Sequence, residues 1–477
     1  PEVIPPNPPG NNNEVPNTLT TITPDVISIT TPSNNDQTTN TQTAKEKIKE
    51  LEFANITPSS QMNNDSNFLT LSTTEETLEF LEGRRTNEYS NYLGRDFNGQ
   101  LISIKNIREV LSSIANKTGT KPGIIYVHTY TEQLQLVLYM ENSQPIVKII
   151  SDFNRRKLIN AVRKLRAKIT RGSLDSDEYL LPAQQLYDWL IAPISAELEA
   201  ANIDTLLFSM DQGLRTLPVA VLHDGEQFLI EKYSLSLIPT ISLMDINYRP
   251  LQDTRVLAMG ASEFTSQSPL PAVPVELETI SQKLWQGSQF VNQEFTRDNL
   301  VTERKKYPYP IIHLATHAEF LTGQASNSFI QLWGSEQIKL DQIRELGWNE
   351  PPVELLVLSA CRTAFGDRNA ELGFAGFAVA AGVKSALASI WYVSDQGTLG
   401  LMTEFYSHLN NAKIKAEALR QAQLAMLRGE VVIVDGELRG SGARSAVVLP
   451  SALGKFGNQN FSHPYYWAGF TMIGSPW

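Results

Sequence analysis

A single cysteine, Cys361, occurs in 477 residues, which excludes an internal disulfide and any zinc site built on cysteine pairs. A chain without disulfides fits a reducing compartment, so a cytoplasmic location is the expectation. Histidine is also scarce, at six residues, and none stands in an HExxH pattern or another metal-ligand spacing; no metal and no other cofactor is expected. Walker A, GxGxxG and GxSxG patterns are missing, which leaves nucleotide binding and serine esterase chemistry without support. No run approaches the ~18 apolar residues of a membrane span. Positive charge is short as well: the net charge is -11, the pI is near 5.2, and no dense Lys/Arg stripe could hold nucleic acid by its phosphates. The one basic run, "RRKLINAVRKLRAKITR", carries Leu158, Val162, Leu165 and Ile169 at helical spacing and reads as an amphipathic helix with a solvated cationic face.

The length suggests two to three domains, and an apolar fraction of 42% supports a real core. Residues 1–42 hold no aromatic residue and are rich in Pro, Asn and Thr, a composition that cannot offset its ordering entropy; a disordered linker is expected there. Residues 43–100 read as short peripheral helices, with Thr73 and Glu76 at capping-box spacing and Gly83 as a helix stop. From 101 to 254 a helix ending at Gly119 leads into the strands "GIIYVHTY", "LQLVLYM" and "PIVKII". The basic helix, "AQQLYDWLIAPI" as a helix, "IDTLLFSM" as a strand and a hairpin centred on "HDG" follow. From 255 to 477 strands alternate with helices, the pattern of a mainly parallel sheet covered on both faces. Residues 429–460 read as a polar loop. The sequence begins at Pro1, which suggests a processed chain or a piece of a longer one, with any signal, anchor or repeat array upstream.

In an open parallel sheet, reactive groups gather past the carboxyl ends of the strands. "IIHLATH" delivers His317 and "ELLVLSA" delivers Cys361. If those strands are neighbours, imidazole and thiol form the nucleophile and base of a cysteine hydrolase. A free cysteine taken alone is most often a small buried hydrophobe. The pair is the stronger signal, because strand, helix and strand separate its members and caspases place their histidine about 50 residues before the cysteine. His313 reads as a hydrogen-bonded structural residue. Asp367 and Glu371, in the loop after Cys361, read as solvated or rim residues rather than catalytic acids.

The segments "HLATHAEF", "LSACRTAFGD", "ELGFAGFAVAAGVKSALASIWYVSDQGTLGLMTEFY", "HPYYWAGFTMIG" and "LPVAVLHDGEQFLIEKYSL" together resemble the CHAT domains. These are caspase-like domains, often found with TPR repeats in bacteria and allied to separases and caspases. The resemblance covers roughly residues 100–477. It implies a bacterial protein of cyanobacterial type and a caspase-like α/β fold, in which 101–254 is a degenerate companion to a catalytic half, 255–477. It also implies a cysteine endopeptidase with a His317–Cys361 dyad and backbone amides of Ala318 and Cys361 as the oxyanion hole. Asp395, after the last core strand, is implied to pair with a P1 arginine of the substrate; by type and position it equally suits a helix N-cap. The family commonly has Gly where Ala318 stands, which puts full activity in doubt. Expected partners are a protein substrate and a regulatory partner or an upstream repeat region. Two other readings stay open: a catalytically weak CHAT module acting as scaffold or sensor, and an acyltransferase or amidase using the same dyad.

Overall fold

Runs such as Ile124–Val127 and Leu355–Leu358 are apolar at every position, which suits strands covered from both sides, and all of these residues are buried. The computed structural model describes residues 72–477 apart from 142, 365, 442–446, 451, 452 and 454–456; the expected linker 1–42 and the segment "AKEKIKELEF" lie outside the described residues. The helices used below are α1 (Ser72–Leu93), α2 (Ile104–Thr118), α3 (Arg155–Arg171), α4 (Leu180–Leu190), α5 (Val273–Glu278), α6 (Arg297–Lys306), α7 (Arg368–Ala375), α8 (Asp395–Leu409) and α9 (Lys415–Leu427).

Among the described residues the main sheet has 13 strands. Its first group is β1 (Pro122–Thr129), β2 (Gln133–Met140), β3 (Ile146–Ser151), β4 (Thr205–Met210) and β5 (Ser234–Ile238). The second is β6 (Arg255–Gly260), β7 (Gln286–Val291), β8 (Ile311–Phe320), β9 (Phe329–Gln331), β10 (Gln337–Lys339), β11 (Leu355–Thr363) and β12 (Ser385–Ser389). Residues 429–460 are not the expected loop: β13 (Val432–Val434), β14 (Glu437–Arg439), β15 (Val447–Val448) and β16 (Gln459–Asn460) form a separate small antiparallel sheet. Last comes β17 (Phe470–Gly474), which joins the two groups: the order runs β10-β9-β8-β11-β12-β17-β5-β4-β1-β2-β3, with β6 and β7 attached along the first part of β8. Most pairings within the main sheet are parallel, in keeping with the strand and helix alternation.

Helices cover the sheet on both sides. On one face of β1, Ile124 and Tyr126 pack with Ile107, Leu111 and Ile114 of α2, which ends at Gly119 in the left-handed conformation as expected. On the other, Ile125 and Val127 share a core with Leu158, Val162 and Leu165 of α3. The expected "HDG" hairpin is reduced to one bridge between His223 and Phe228, because the chain turns into a short helix, Leu229–Lys232.

The segment expected to be peripheral is not. Helix α1 runs 22 residues straight through Gly83, and Leu78, Leu81, Glu82, Arg85 and Tyr89 are buried. Glu82 accepts from the Tyr126 hydroxyl at 2.6 Å and from the Ser242 amide at 3.0 Å, so tertiary contacts carry the helix past its weakest residue. A Cβ added at Gly83 would meet nothing within 4 Å. Gly83→Ala is therefore expected to raise stability by about 0.5–1 kcal/mol in urea unfolding; a loss would mean that the helix is strained there.

Candidate active site

Strands β8 and β11 lie side by side and parallel, so the two elements that carry His317 and Cys361 are neighbours. The structure departs from expectation in where β11 stops. It runs on through Cys361 to Thr363 rather than releasing the cysteine into a loop, and Ser389 of β12 donates its hydroxyl to the Cys361 carbonyl at 3.0 Å. The register pairs Ala360 with His317 and Cys361 with Ala318. Successive strand residues point to opposite faces, so imidazole and thiol are turned to opposite sides of the sheet. The ion pair between Arg362 and Glu319 marks the face that His317 shares.

A β-bulge causes the offset. Between Leu358/Leu314 and Ala360/His317 the register shifts, with Ala315 and Thr316 set against Ser359. In unbroken register Cys361 would stand beside His317, on its face. Two contacts fix the bulge: Thr316 donates its hydroxyl to the Gln331 carbonyl at 2.6 Å, and β6 approaches so closely that a Cβ on Gly260 would lie 2.4 Å from the Ala315 carbonyl.

Cys361 is fully buried, and its thiol donates only to the Leu358 carbonyl, at 3.5 Å. Burial pushes the thiol up to about 12, partly offset by a hydrogen bond from the Ser389 backbone. In this state it is a thiol and not a thiolate.

The His317 imidazole is held on three sides. Its Nε2 lies 2.8 Å from the Ser268 carbonyl, an atom that can only accept, so Nε2 carries the proton and Nδ1 is the acceptor of the ring. Tyr392 stacks on the imidazole at 5.5 Å between centroids and places its hydroxyl 3.4 Å from Nδ1; Phe264 packs against the ring at 4.6 Å. Burial lowers the His317 pKa, against the opposing hydrogen bond to Ser268 and the charge of Glu319. Tyr392, Phe264 and Ser268 were missed in the sequence. Tyr392 had a signal, as an aromatic residue just past the end of β12, whereas Ser268 acts through its carbonyl and had none.

Ala318 lies in β8 without a left-handed φ, so alanine in place of glycine causes no backbone strain here. His313 has the expected structural role, 2.8 Å from Glu276 and 3.2 Å from the Tyr406 hydroxyl.

Asp395 is not the helix cap. Ser394 caps α8 by accepting from the Gly397 amide, and Asp395 is the first helical residue. Its carboxylate accepts from the Ala272 amide at 2.7 Å, holding the loop that also supplies Phe264 and Ser268. Burial raises its pKa to about 7, with the Ala272 bond opposing and Glu276 adding to the rise. A carboxyl whose folded value exceeds its unfolded one costs nothing below its ordinary 3.8, and its ionisation weakens the fold increasingly as the pH climbs to about 7. Asp395→Asn keeps an acceptor for Ala272. It is expected to match the wild type in urea unfolding near pH 4 and to exceed it at pH 8 by up to roughly 4 kcal/mol. Parallel stability curves would show that the carboxylate is solvated.

Of the two acids after Cys361, Asp367 is a partly exposed helix cap and Glu371 departs from expectation. Asp367 caps α7, accepting from Asn369 and Ala370. Glu371 is fully buried rather than solvated: it accepts from the Gly213 amide at 2.6 Å and lies among Arg215, Arg166 and Arg155. Arg166 corrects the reading of the basic helix, since it is buried and donates to the carbonyls of Thr216 and Ile390 at 2.7 and 2.9 Å.

The CHAT domain family matches residues 180–475. This chain belongs to the CHAT domain family. Sequence comparison with curated proteins returns no match. Among solved structures, the CHAT chain is similar to that of the Saccharomyces cerevisiae separase–securin complex, at 10% identity and a TM-score of 0.46. That likeness covers 87% of this chain and 34% of the other, so the chain spans about a third of the separase chain's length. It is also similar to the complex of Porphyromonas gingivalis RgpB pro- and mature domains, at 12% identity and a TM-score of 0.37 over 68% of this chain and 77% of that one. Among the described residues no helix is long and apolar enough to cross a membrane, and no cluster of potential metal ligands occurs.

Proposed function

We propose that this CHAT chain is a cysteine endopeptidase of the caspase and separase type, in which His317 is the base and Cys361 the nucleophile, held out of line in this state. The reading rests above all on the placement of the two residues near the ends of adjacent parallel strands, one register step from alignment. Resetting the bulge at Ala315–Thr316 brings the thiol from its buried site to the imidazole. There Nδ1 takes its proton, the thiolate attacks the scissile carbonyl, and the amides of Ala318 and Cys361 stabilise the oxyanion. The imidazolium then protonates the leaving amine, and water hydrolyses the thioester.

Asp395 is proposed to receive a P1 arginine. A guanidinium beside it would bring its pKa back down and release a proton, so affinity for arginine peptides rises with pH through about 7. The same reading takes residues 101–254 as the companion half and 255–477 as the catalytic half.

One observation favours a second reading, a binding module without catalysis: the thiol is buried and protonated. An arginine-containing peptidyl probe that alkylates cysteine separates the two. Labelling of Cys361 that is faster than by simple iodoacetamide, and lost in His317→Ala, supports the peptidase. A Cys361 that reacts only upon unfolding supports the binding module.

A further inference from the structure

One row of side chains crosses four strands on the face of the sheet that carries His317. The register sets Lys339 beside Phe329, Phe329 beside Glu319 and Glu319 beside Arg362. Glu319 follows His317 by two residues on β8, so it lies on the imidazole's side, roughly 7 Å farther along the strand. The Arg362 guanidinium is 3.7 Å from the Glu319 carboxylate, with side chains 58% and 24% exposed respectively. Lys339 Nζ stands 4.9 Å from the centre of the Phe329 ring. A half-buried carboxylate beside an aromatic ring is a cradle for a long basic side chain, which can lay its methylenes on the ring and its charge on the acid. Arg362 and Lys339 approach it from within the molecule.

We propose that Glu319 reads a second basic side chain of the substrate, near the one at the scissile bond, and that Arg362 stands in for it in the free protein. The inference rests on the peptidase reading for where the substrate lies. An exposed ion pair contributes little, so a peptide cation with additional contacts to Phe329 displaces Arg362 readily. The register couples this exchange to the dyad. In unbroken pairing of β8 and β11, Arg362 would stand beside Ala318 and leave Glu319, while Cys361 would come beside His317. A substrate cation that takes Glu319 removes what Arg362 gains from the offset register and favours the aligned one. The substrate class is therefore a peptide with two basic residues close together in sequence.

The test uses matched fluorescent peptides, one with two arginines and one in which the second is glutamine. Binding is read by anisotropy to the Cys361→Ala protein and cleavage with the wild type. The dibasic peptide is expected to bind about tenfold tighter, as for one charge-assisted contact. Adding Glu319→Gln should bring the ratio to within about twofold, and adding Arg362→Gln should raise dibasic affinity several-fold, since the internal competitor is gone. Adding Asp395→Asn should weaken both peptides alike. A ratio near one in the Cys361→Ala protein, or a ratio that survives Glu319→Gln, overturns the proposal. Failure of the wild type to cleave while the binding ratio follows Glu319 removes the peptidase reading and leaves the cation site standing. Cleavage whose preference ignores Glu319 removes this proposal alone.

Discussion

On the proposed peptidase reading, Cys361→Ala is expected to abolish peptide cleavage, a loss of about 10⁴-fold or more, and His317→Ala to lose nearly as much, because a nucleophile and its base act as one unit. Neither change should unfold the protein. The Cys361 sulfur donates one long hydrogen bond, to the Leu358 carbonyl, and removing the sulfur leaves a void the size of a single atom. His317 loses its bond to Ser268 and its contacts with Tyr392 and Phe264, a local deficit at the end of a strand. The pH profile adds a check. Burial lowers the His317 pKa from its ordinary 6.5, and the imidazole is a base only above its pKa. Activity should therefore persist below pH 6.5 and fall only as the pH drops through the lowered value. Wild-type cleavage rates in either variant would end the dyad assignment.

Glu371→Ala is expected to destabilise the fold by about 2–4 kcal/mol, because it removes a buried acid close to Arg166 and Arg215, of which Arg215 keeps its ion pair with Glu88. Arg215 is 2% exposed, with Glu88 and Glu371 among the anions that raise its pKa against the effect of burial, and Arg166 is lowered to about 10 by burial, with Glu371 opposing. The substitution also strips the Gly213 amide of its acceptor. Glu371→Gln keeps that acceptor and the side-chain volume, so it should cost less. Urea unfolding of both variants measures the difference. An alanine variant within about 1 kcal/mol of wild type would show that water reaches the arginines, since only solvated pairs are worth so little.

The sequence made strand and helix identities legible where a local period existed. The alternation from residue 255 onward is local hydrophobic patterning, and β6, β7, β8, β11, β12, α6 and α8 follow it. The neighbourhood of His317 and Cys361 was legible for the same reason, since parallel strands joined by one crossover pack side by side. The offset between them was not. The bulge depends on Gly260 and Gln331 meeting Ala315 and Thr316 from other strands, and nothing in "IIHLATH" announces it. Glu371 was misread because its anchor, Gly213, is 158 positions away, so local composition made the loop look solvated. Helix α1 was undercut by Gly83, whose propensity cost is outweighed by the buried bonds of Glu82 and Arg85.

The position of β17 has a consequence for how the protein comes into being. It pairs antiparallel with β12 along five residues and meets β5 through Ile473 and Leu237, where the Ser236 hydroxyl also reaches the Gly474 carbonyl. A nascent chain that has not yet released residue 474 from the ribosome holds two incomplete sheets, each with an unpaired edge. The continuous sheet forms only once β17 is inserted between them. The two groups also meet away from β17, where Arg166 donates to the Ile390 carbonyl and Gly213 to Glu371. A chain that lacks β17 would leave β12 and β5 as open edges, the kind of surface that invites pairing with other chains.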